Sequence, residues 1–147
     1  MKILTKNIIA FSLVFFFASL TNAQNKNVED QKAEHKIIFQ LTSGDTTAHK
    51  QLIKQFNNIL SVSPSTKIEI VCHGAGLDML VLDKTIVADK IKILADKGVV
   101  FNACEFSIKE RKADRTQIIK SAGFVPAGII EIVSKQEQGW SYIKAGN

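Results

Sequence analysis

Apolar and polar positions follow one another along the chain in blocks that predict strands and helices in alternation. The segment Lys36–Thr42 is short, apolar and rich in β-branched and aromatic residues, which is typical of a buried strand. After a turn at Gly44, apolar residues recur every three or four positions, which predicts an amphipathic helix. The apolar positions of that helix are Leu52, Ile53, Phe56, Ile59 and Leu60.

The alternation then repeats. Lys67–His73 predicts a second strand, which Gly74 and Gly76 bring to an end. A short helical turn is predicted next, followed by a second helix that stops at Gly98. The inward positions of this helix are predicted to be Ile86, Ile91, Leu94 and Ala95.

The last third of the chain predicts two further strands. Val99–Cys104 is a third strand, and the polar segment 105–123 predicts one short helix or two helical pieces. The apolar run PAGIIEIVSKQ, residues 126–136, predicts a fourth strand. The chain closes with EQGWSYIKA, which carries the aromatic residues Trp140 and Tyr142.

Strands that alternate with helices pair in parallel through right-handed crossovers. We therefore expect a small α/β domain with a mostly parallel sheet and helices on both faces. In the usual strand order, the first strand would lie between the second and third. Cys72 and Cys104 would then be about 9–10 Å apart, beyond the ~7 Å limit for bridged Cα atoms, so we expect no disulfide.

The amino-terminal residues predict a secretory signal peptide. Lys2 and Lys6 precede an apolar run, Ile8–Leu20, and small residues flank a cut after Ala23. The run has 13 residues, short of the ~20 that span a membrane, so we expect no membrane span. The chain is expected to be exported, to the periplasm or elsewhere outside the cytoplasm.

We divide the chain into a signal peptide, residues 1–23, a flexible polar tether, residues 24–35, and an α/β domain, residues 36–147. The formal charge is +5, and removal of the two leader lysines leaves +3. That weak excess does not indicate nucleic-acid binding, and we predict no nucleic-acid partner. A local cationic cluster is either a solvated helix face or an anion-attracting rim. It consists of Lys109, Arg111, Lys112 and Arg115.

Candidate chemistry lies after the first three strands, because ligands bind at the carboxyl ends of parallel strands. Cys104 stands between a strand and a helix, where helix amides favour a thiolate, although Glu105 opposes this. A reactive thiol and a buried packing residue both remain open for Cys104. Cys72 shares the side-chain parity of its strand's apolar residues, which favours packing.

The other two candidate stretches carry polar residues near glycines. His73 points away from Cys72 and is either a proton donor at the crevice or a strand cap. In the first loop, amides could bind a small anion, but ordinary capping of the following helix explains the same residues. The residues of these two stretches are Ser43, Gly44, Asp45, His73, Gly74 and Gly76. The two cysteines and three histidines lack metal-ligand spacing, so we predict no metal and no cofactor.

The sequence resembles the DsrE/DsrF-like family, small α/β proteins related to sulfur-relay subunits. The likeness runs from about Lys36 to Ile143 and is carried by IIFQLTSGD, IEIVCHGAGLDML, ADKGVVFNACEFSIKERK and VPAGIIEIVSKQEQGWSYIK. In the relay members, the cysteine after the third strand accepts sulfane sulfur as a persulfide, and Cys104 matches that position. Glu105 and the leader depart from the pattern of the best understood members.

The resemblance implies a trimeric or hexameric homo-oligomer with a sulfur donor or acceptor protein as partner. The candidate contact residues are Phe106, Ile108, Trp140 and Tyr142. Two functions follow. The first is an exported protein that carries sulfane sulfur on Cys104, assisted by His73 and by Lys109 and Arg111 of the cationic cluster. The second is a noncatalytic oligomeric module that binds a small anion or a partner.

The leader predicts a mature chain that begins close to Gln24. Intact-mass analysis of the protein recovered from its native cell envelope should give the mass of residues 24–147. A recovered chain that still carries Met1 to Ala23 would contradict the prediction.

Overall fold

The computed structural model describes residues 34–146, which form a five-stranded parallel sheet. The strands are β1 (Lys36–Leu41), β2 (Lys67–Cys72), β3 (Val100–Cys104), β4 (Gly123–Val125) and β5 (Ser141–Ala145). Their order across the sheet is β4-β3-β2-β1-β5. The predicted signal peptide and all but the end of the predicted tether lie outside the described residues.

Four α-helices and two 3₁₀ helices connect the strands. The α-helices are α1 (Thr46–Val62), α2 (Ala88–Asp96), α3 (Glu105–Glu110) and α4 (Gly128–Glu137). The 3₁₀ helices are Gly74–Met79 and Arg115–Gln117. The architecture confirms the expected small α/β fold with a parallel sheet. Within residues 34–146, no helix combines the length and apolarity needed to cross a membrane.

The larger part of the core lies on the face of the sheet that α1 and α2 cover. Three phenylalanines, Phe39, Phe56 and Phe101, pack edge to face there, with ring centroids 4.9 and 6.0 Å apart. Helix α1 buries Leu52, Ile53 and Phe56, as its periodicity predicts, and Ile59 and Leu60 pack partly buried beside them. Burial of this apolar stripe is the main source of stability for the helix.

The opposite face is smaller and contains a buried charge. Its apolar cluster consists of Ile38, Val71, Val125 and Ile132, with Trp140 packed against it. Beside this cluster, the buried Glu69 carboxylate binds the Lys135 ammonium at 2.6 Å and accepts a hydrogen bond from Asn102 at 2.9 Å. Lys135 also lies over the Trp140 ring at 4.8 Å, so it ties α4 to the sheet and to β5.

The expected strand order is wrong. Strand β2, not β1, is the neighbour of β3, and Cys72 pairs with Ala103. Successive side chains of a strand point to opposite faces. Cys72 therefore lies in the larger core, whereas Cys104, one position beyond Ala103, faces α4. The two thiols are free, and this opposite orientation, rather than distance across the sheet, separates them.

The expected fourth strand is also wrong, because residues 128–137 form helix α4. Its one buried isoleucine, Ile132, faces the sheet, and Glu131 and Lys135 pair at helical spacing. Consecutive isoleucines are typical of a strand, but here Ile129 and Ile130 lie on the exposed side of the helix. The fourth strand is instead Gly123–Val125, and the closing segment supplies a fifth, Ser141–Ala145.

Two smaller predictions have different outcomes. Ile86 was expected to face inward but is 51% exposed, because α2 begins only at Ala88 and Val87 takes the buried position. The segment after β3 forms two helical pieces, which was one of its two expected forms.

The buried pair yields a stability prediction. Lys135→Met leaves the Glu69 carboxylate unpaired inside the protein, and we expect unfolding to require about 2–3 kcal/mol less. This figure is discounted from the value for a fully buried pair because the Lys135 side chain is 22% exposed. Denaturant titrations measure it.

Two variants control this measurement. Lys92→Met breaks an exposed pair with Asp96 and should change stability less than Lys135→Met does. Adding Glu69→Gln to Lys135→Met should recover part of the loss, since no buried charge is then left unpaired. Equal effects of Lys135→Met and Lys92→Met would contradict the prediction.

Candidate functional site

The loops after β1 and β2 meet at the carboxyl edge of the sheet. The His73 N–H donates to the Leu41 carbonyl at 3.1 Å, which joins the end of one strand to the end of the other. Gly44 packs on the next turn: a methyl group built at Gly44 would lie 3.3 Å from the Ala75 carbonyl oxygen. The structure thus brings the first two predicted stretches together.

The two glycines of the second stretch have distinct structural roles. A methyl group on Gly76 would lie 2.1 Å from the Leu41 carbonyl oxygen, so only glycine fits there. Gly74 adopts a left-handed φ of 55°, which glycine tolerates best, and its N–H donates to the Ser107 hydroxyl at 2.8 Å. This turn fixes the position of His73 against α3.

The first loop directs its polar groups toward its own backbone. The Asp45 carboxylate accepts a hydrogen bond from the Thr47 N–H at 2.8 Å and caps α1. The Ser43 hydroxyl accepts from the Asp45 N–H at 3.2 Å, and Nε2 of the buried His49 lies 2.9 Å from the Ser43 carbonyl oxygen. The capping interpretation therefore accounts for Ser43 and Asp45.

Cys104 is the last residue of β3 and the residue directly before α3. Its side chain is 4% exposed, and its sulfur accepts a hydrogen bond from the Gly128 N–H at 3.2 Å. A methyl group at Gly128 would meet the Val71 side chain at 2.9 Å and the Cys104 sulfur at 3.5 Å. The glycine lets the amino-terminal end of α4 approach the sulfur closely.

Cys72 has a different environment. It is fully buried in the larger core, and burial raises the pKa of its thiol well above the ordinary value. Its surroundings match the predicted packing role. The two cysteines therefore lie on opposite faces of the sheet, and Cys104 accepts a backbone hydrogen bond from the Gly128 N–H.

His73 follows β2 directly and keeps an extended backbone. The pairing of β2 with β3 ends at Cys72 and Ala103, and the same parallel register continued by one residue would set His73 opposite Cys104. The ring nitrogen Nε2 of His73 lies 2.7 Å from Nε2 of Gln40, and the Tyr142 hydroxyl donates to the Gln40 oxygen. Burial lowers the pKa of His73, which favours the neutral ring.

Sequence reasoning missed the roles of four residues in this site: Gln40, Ser107, Gly128 and Tyr142, the last of which was predicted only as an oligomer contact. One signal was present, because Gln40 is a polar residue inside the otherwise apolar segment IIFQL. The other three depend on which segments meet in space. Gly128 in particular lies in the segment that was predicted to be the fourth strand.

Salt bridges hold two of the four residues in the predicted cationic cluster. Arg111 binds the Asp78 carboxylate at 2.5 Å, and Arg115 pairs with Glu105 while its guanidinium lies 4.4 Å from the Phe124 ring centroid. The partner of Arg115 is thus the acidic residue next to Cys104. That pairing offsets the negative charge that opposes a thiolate there.

An open groove of about 730 Å³ begins at Glu105, the residue after Cys104. It is lined by Glu105, Phe106, Ile108, Lys109, Ala113, Asp114, Arg115 and Pro126. Lys109 therefore stands on the wall of the groove. The groove has room for a ligand or for a segment of a partner protein at Glu105, next to Cys104 in the chain.

The four predicted contact residues differ in exposure. Phe106 is 60% exposed and Tyr142 is 40% exposed, whereas Trp140 is half-buried and Ile108 is buried. Phe106 and Tyr142 are thus the two that present apolar surface. Within the described part of the chain, no three His, Cys, Asp or Glu side chains are grouped so that they could hold a metal ion.

Comparisons with known proteins agree with this architecture. A model of the DsrE/DsrF-like family matches residues 35–145, from the start of β1 to the end of β5. Among solved structures, the chain is similar to MTH1491, a protein of unknown function from Methanobacterium thermoautotrophicum, with 25% identity and a TM-score of 0.72. The similarity covers 76% of this chain and 99% of that one. No protein with a curated description matches the chain.

The environment of His73 predicts a pH dependence of stability. Its pKa is lower in the folded chain than the ordinary 6.5, so the unfolded chain binds more protons between those two values. The stability associated with His73 is complete above about pH 6.5 and is lost as the pH falls toward the lowered value.

Denaturant titrations of the wild type and His73→Gln from about pH 7.5 to about pH 5 test this prediction. Subtracting the stability of the variant removes the contributions that the two proteins share. The stability advantage of the wild type should shrink in acid. An advantage that is constant or grows as the pH falls would contradict the prediction.

Proposed function

Because the chain belongs to the DsrE/DsrF-like family, which is related to sulfur-relay proteins, we propose that it carries sulfane sulfur as a persulfide on Cys104. The observation that carries this proposal is the hydrogen bond from the Gly128 N–H to the Cys104 sulfur. That contact involves the first residue of α4. Cys104 also directly precedes α3, although its side chain makes no capping hydrogen bond there.

This position favours an anionic sulfur. The first amides of a helix have no partners within the helix and carry partial positive charge. One of these amides, on Gly128, points at the sulfur, and a hydrogen bond to a charged acceptor is stronger than one to a neutral acceptor. A thiolate and the terminal sulfur of a persulfide are both anions that such an amide stabilises.

The transfer is a thiol exchange in both directions. In the receiving step, the Cys104 thiol loses its proton to solvent, and the thiolate attacks the outer sulfur of a donor persulfide. A sulfur–sulfur bond forms on Cys104, the donor's sulfur–sulfur bond breaks, and the donor leaves as a thiolate. In the delivering step, an acceptor thiolate attacks the outer sulfur and Cys104 leaves as the thiolate. Neither step needs an external oxidant or reductant.

The burial of Cys104 suits a carrier. Persulfides and thiolates are oxidised readily, and limited solvent access protects them. The groove begins at Glu105, the residue after Cys104, and Lys109 on its wall would attract an anionic group of a donor or acceptor protein. We propose that such partner proteins exchange sulfur with Cys104 through this groove.

The proposal extends to location and assembly. The leader supports export, to the periplasm or elsewhere outside the cytoplasm, where a sheltered persulfide has particular value. The exposed apolar residues Phe106 and Tyr142 support a homo-oligomer, and the family resemblance favours a trimer or a hexamer.

One observation favours the alternative of a noncatalytic oligomeric module that binds a small anion or a partner. With 4% of its surface exposed, Cys104 could serve only to pack α4 against the sheet. The turn of Gly74 and Gly76 would then supply ligand contacts together with Gly44.

Thiol labelling and mass spectrometry separate the two functions. In the native protein near neutral pH, Cys104 should be alkylated at least about tenfold faster than Cys72, whose buried thiol has a raised pKa. Incubation with polysulfide or with a small persulfide should add the mass of one sulfur atom to Cys104. Peptide mapping identifies the modified cysteine.

Two serine variants serve as matched controls. Cys104→Ser should abolish the added mass, whereas Cys72→Ser should retain it. The Cys104→Ser protein should still fold, because the serine hydroxyl leaves little cavity and can accept the Gly128 N–H. If Cys104 resists labelling until the protein is denatured and takes up no sulfur, the carrier function is wrong and the binding module stands.

A further inference from the structure

A line of hydrogen bonds crosses the sheet from β5 toward the candidate thiol. The Tyr142 hydroxyl on β5 donates to the Gln40 side-chain oxygen on β1. The Gln40 side-chain nitrogen lies 2.7 Å from Nε2 of His73, at the end of β2. The next strand in the sheet is β3, whose pairing with β2 ends at Cys72 and Ala103, one residue before His73 and Cys104.

All four side chains lie on the face that α4 covers. Gln40 shares the parity of Ile38, and His73 shares that of Val71, which both belong to the α4-facing cluster. In the parallel register, Ile38 pairs with Tyr142, and the Cys104 sulfur contacts α4 directly. The hydrogen bonds from Tyr142 to His73 and the Cys104 sulfur therefore lie on the same surface of the sheet.

The donors in this line determine where the His73 proton lies. Because the Gln40 oxygen accepts from Tyr142, the Gln40 amide group faces His73 with its nitrogen, which can only donate. In this orientation of the Gln40 amide, Nε2 of His73 accepts with its lone pair. In a neutral ring, the remaining nitrogen, Nδ1, carries the proton.

We propose that Gln40 and Tyr142 are positioning residues that hold neutral His73 with its proton on Nδ1, so that His73 donates a hydrogen bond to the anionic sulfur carried on Cys104. This inference rests on the proposed function. It names an anionic sulfur on Cys104, either the thiolate or the terminal sulfur of the persulfide, rather than a neutral thiol, as the species that the site stabilises. Burial, which lowers the pKa of His73, agrees with a neutral donor.

The charged and titratable groups around His73 are consistent with this role. From the strands, the same face carries Glu69, which is paired with Lys135 of α4, together with Cys104, Tyr142 and Lys144. From the helical segments, Asp78 is engaged by Arg111 and Glu105 by Arg115. Among the described residues, no carboxylate forms a salt bridge with His73, so no partner holds the ring in its charged form.

The first arm of the test reads the proton position directly and needs no sulfur chemistry. In ¹⁵N-labelled full-length protein near neutral pH, the ring nitrogens of His73, assigned by comparison with His73→Asn, should show the proton on Nδ1. Gln40→Glu replaces the donating amide with an accepting carboxylate and should move the proton to Nε2. A wild-type ring protonated on Nε2 would overturn the proposal.

The second arm measures reactivity. Gln40→Leu and Tyr142→Phe should each slow alkylation of Cys104 near neutral pH, and Gln40→Leu should do so by about tenfold, as expected for a lost hydrogen bond to a charged group. The double variant His73→Asn/Gln40→Leu should be no slower than His73→Asn, because Gln40 acts through His73. Additive losses would overturn the positioning role.

Controls separate this proposal from folding and from the proposed function. Gln55→Leu alters an exposed glutamine of α1 and should change neither the ring nor the alkylation rate. Tyr142→Phe keeps the ring packing, so the prediction remains testable if Gln40→Leu does not fold. A wild type that shows Nδ1 protonation and rapid alkylation but takes up no sulfane sulfur refutes the carrier function while supporting the arrangement of His73.

Discussion

The buried pair of Glu69 and Lys135 holds α4 on the smaller face of the sheet, and the geometry of the thiol depends on that helix. Four buried apolar residues form the cluster on this face, so hydrophobic contact contributes less here than on the face covered by α1 and α2. A buried carboxylate without a paired cation costs folding free energy. The pairing with Glu69 therefore holds Lys135, and with it the carboxyl-terminal part of α4, in a defined position. The Gly128 end then lies against the Cys104 sulfur.

The same helix explains why the two cysteines differ although they lie on adjacent strands. Cys72 faces the larger core, where burial raises the pKa of its thiol. Cys104 is also nearly enclosed, but its enclosing surface is the start of a helix, with a backbone N–H directed at the sulfur. The two thiols therefore differ in the type of neighbour and not in the extent of burial.

The sequence allowed the fold class, most strands and the residues at the carboxyl edge to be predicted, because strand ends and glycine turns are local signals. It did not allow the strand order to be predicted, since crossovers of similar length lead to either order. It misassigned residues 128–137 because consecutive isoleucines favour a strand, whereas the close approach of Gly128 to Cys104 and the pairing of Lys135 with Glu69 are tertiary contacts. Gln40 and Tyr142 meet only once β5 has paired with β1.

Strand β5 is an edge strand whose side chains are mostly exposed, so apolar burial specifies its pairing with β1 only weakly. A slip of one residue would turn Tyr142 to the opposite face and remove its hydrogen bond to Gln40. The hydrogen bond between Tyr142 and Gln40 thus also favours the observed pairing register of β5 with β1. The same two residues, Gln40 and Tyr142, orient His73 and specify the register of β5. A substitution that disturbs the pairing of β5 would therefore also disturb the orientation of His73.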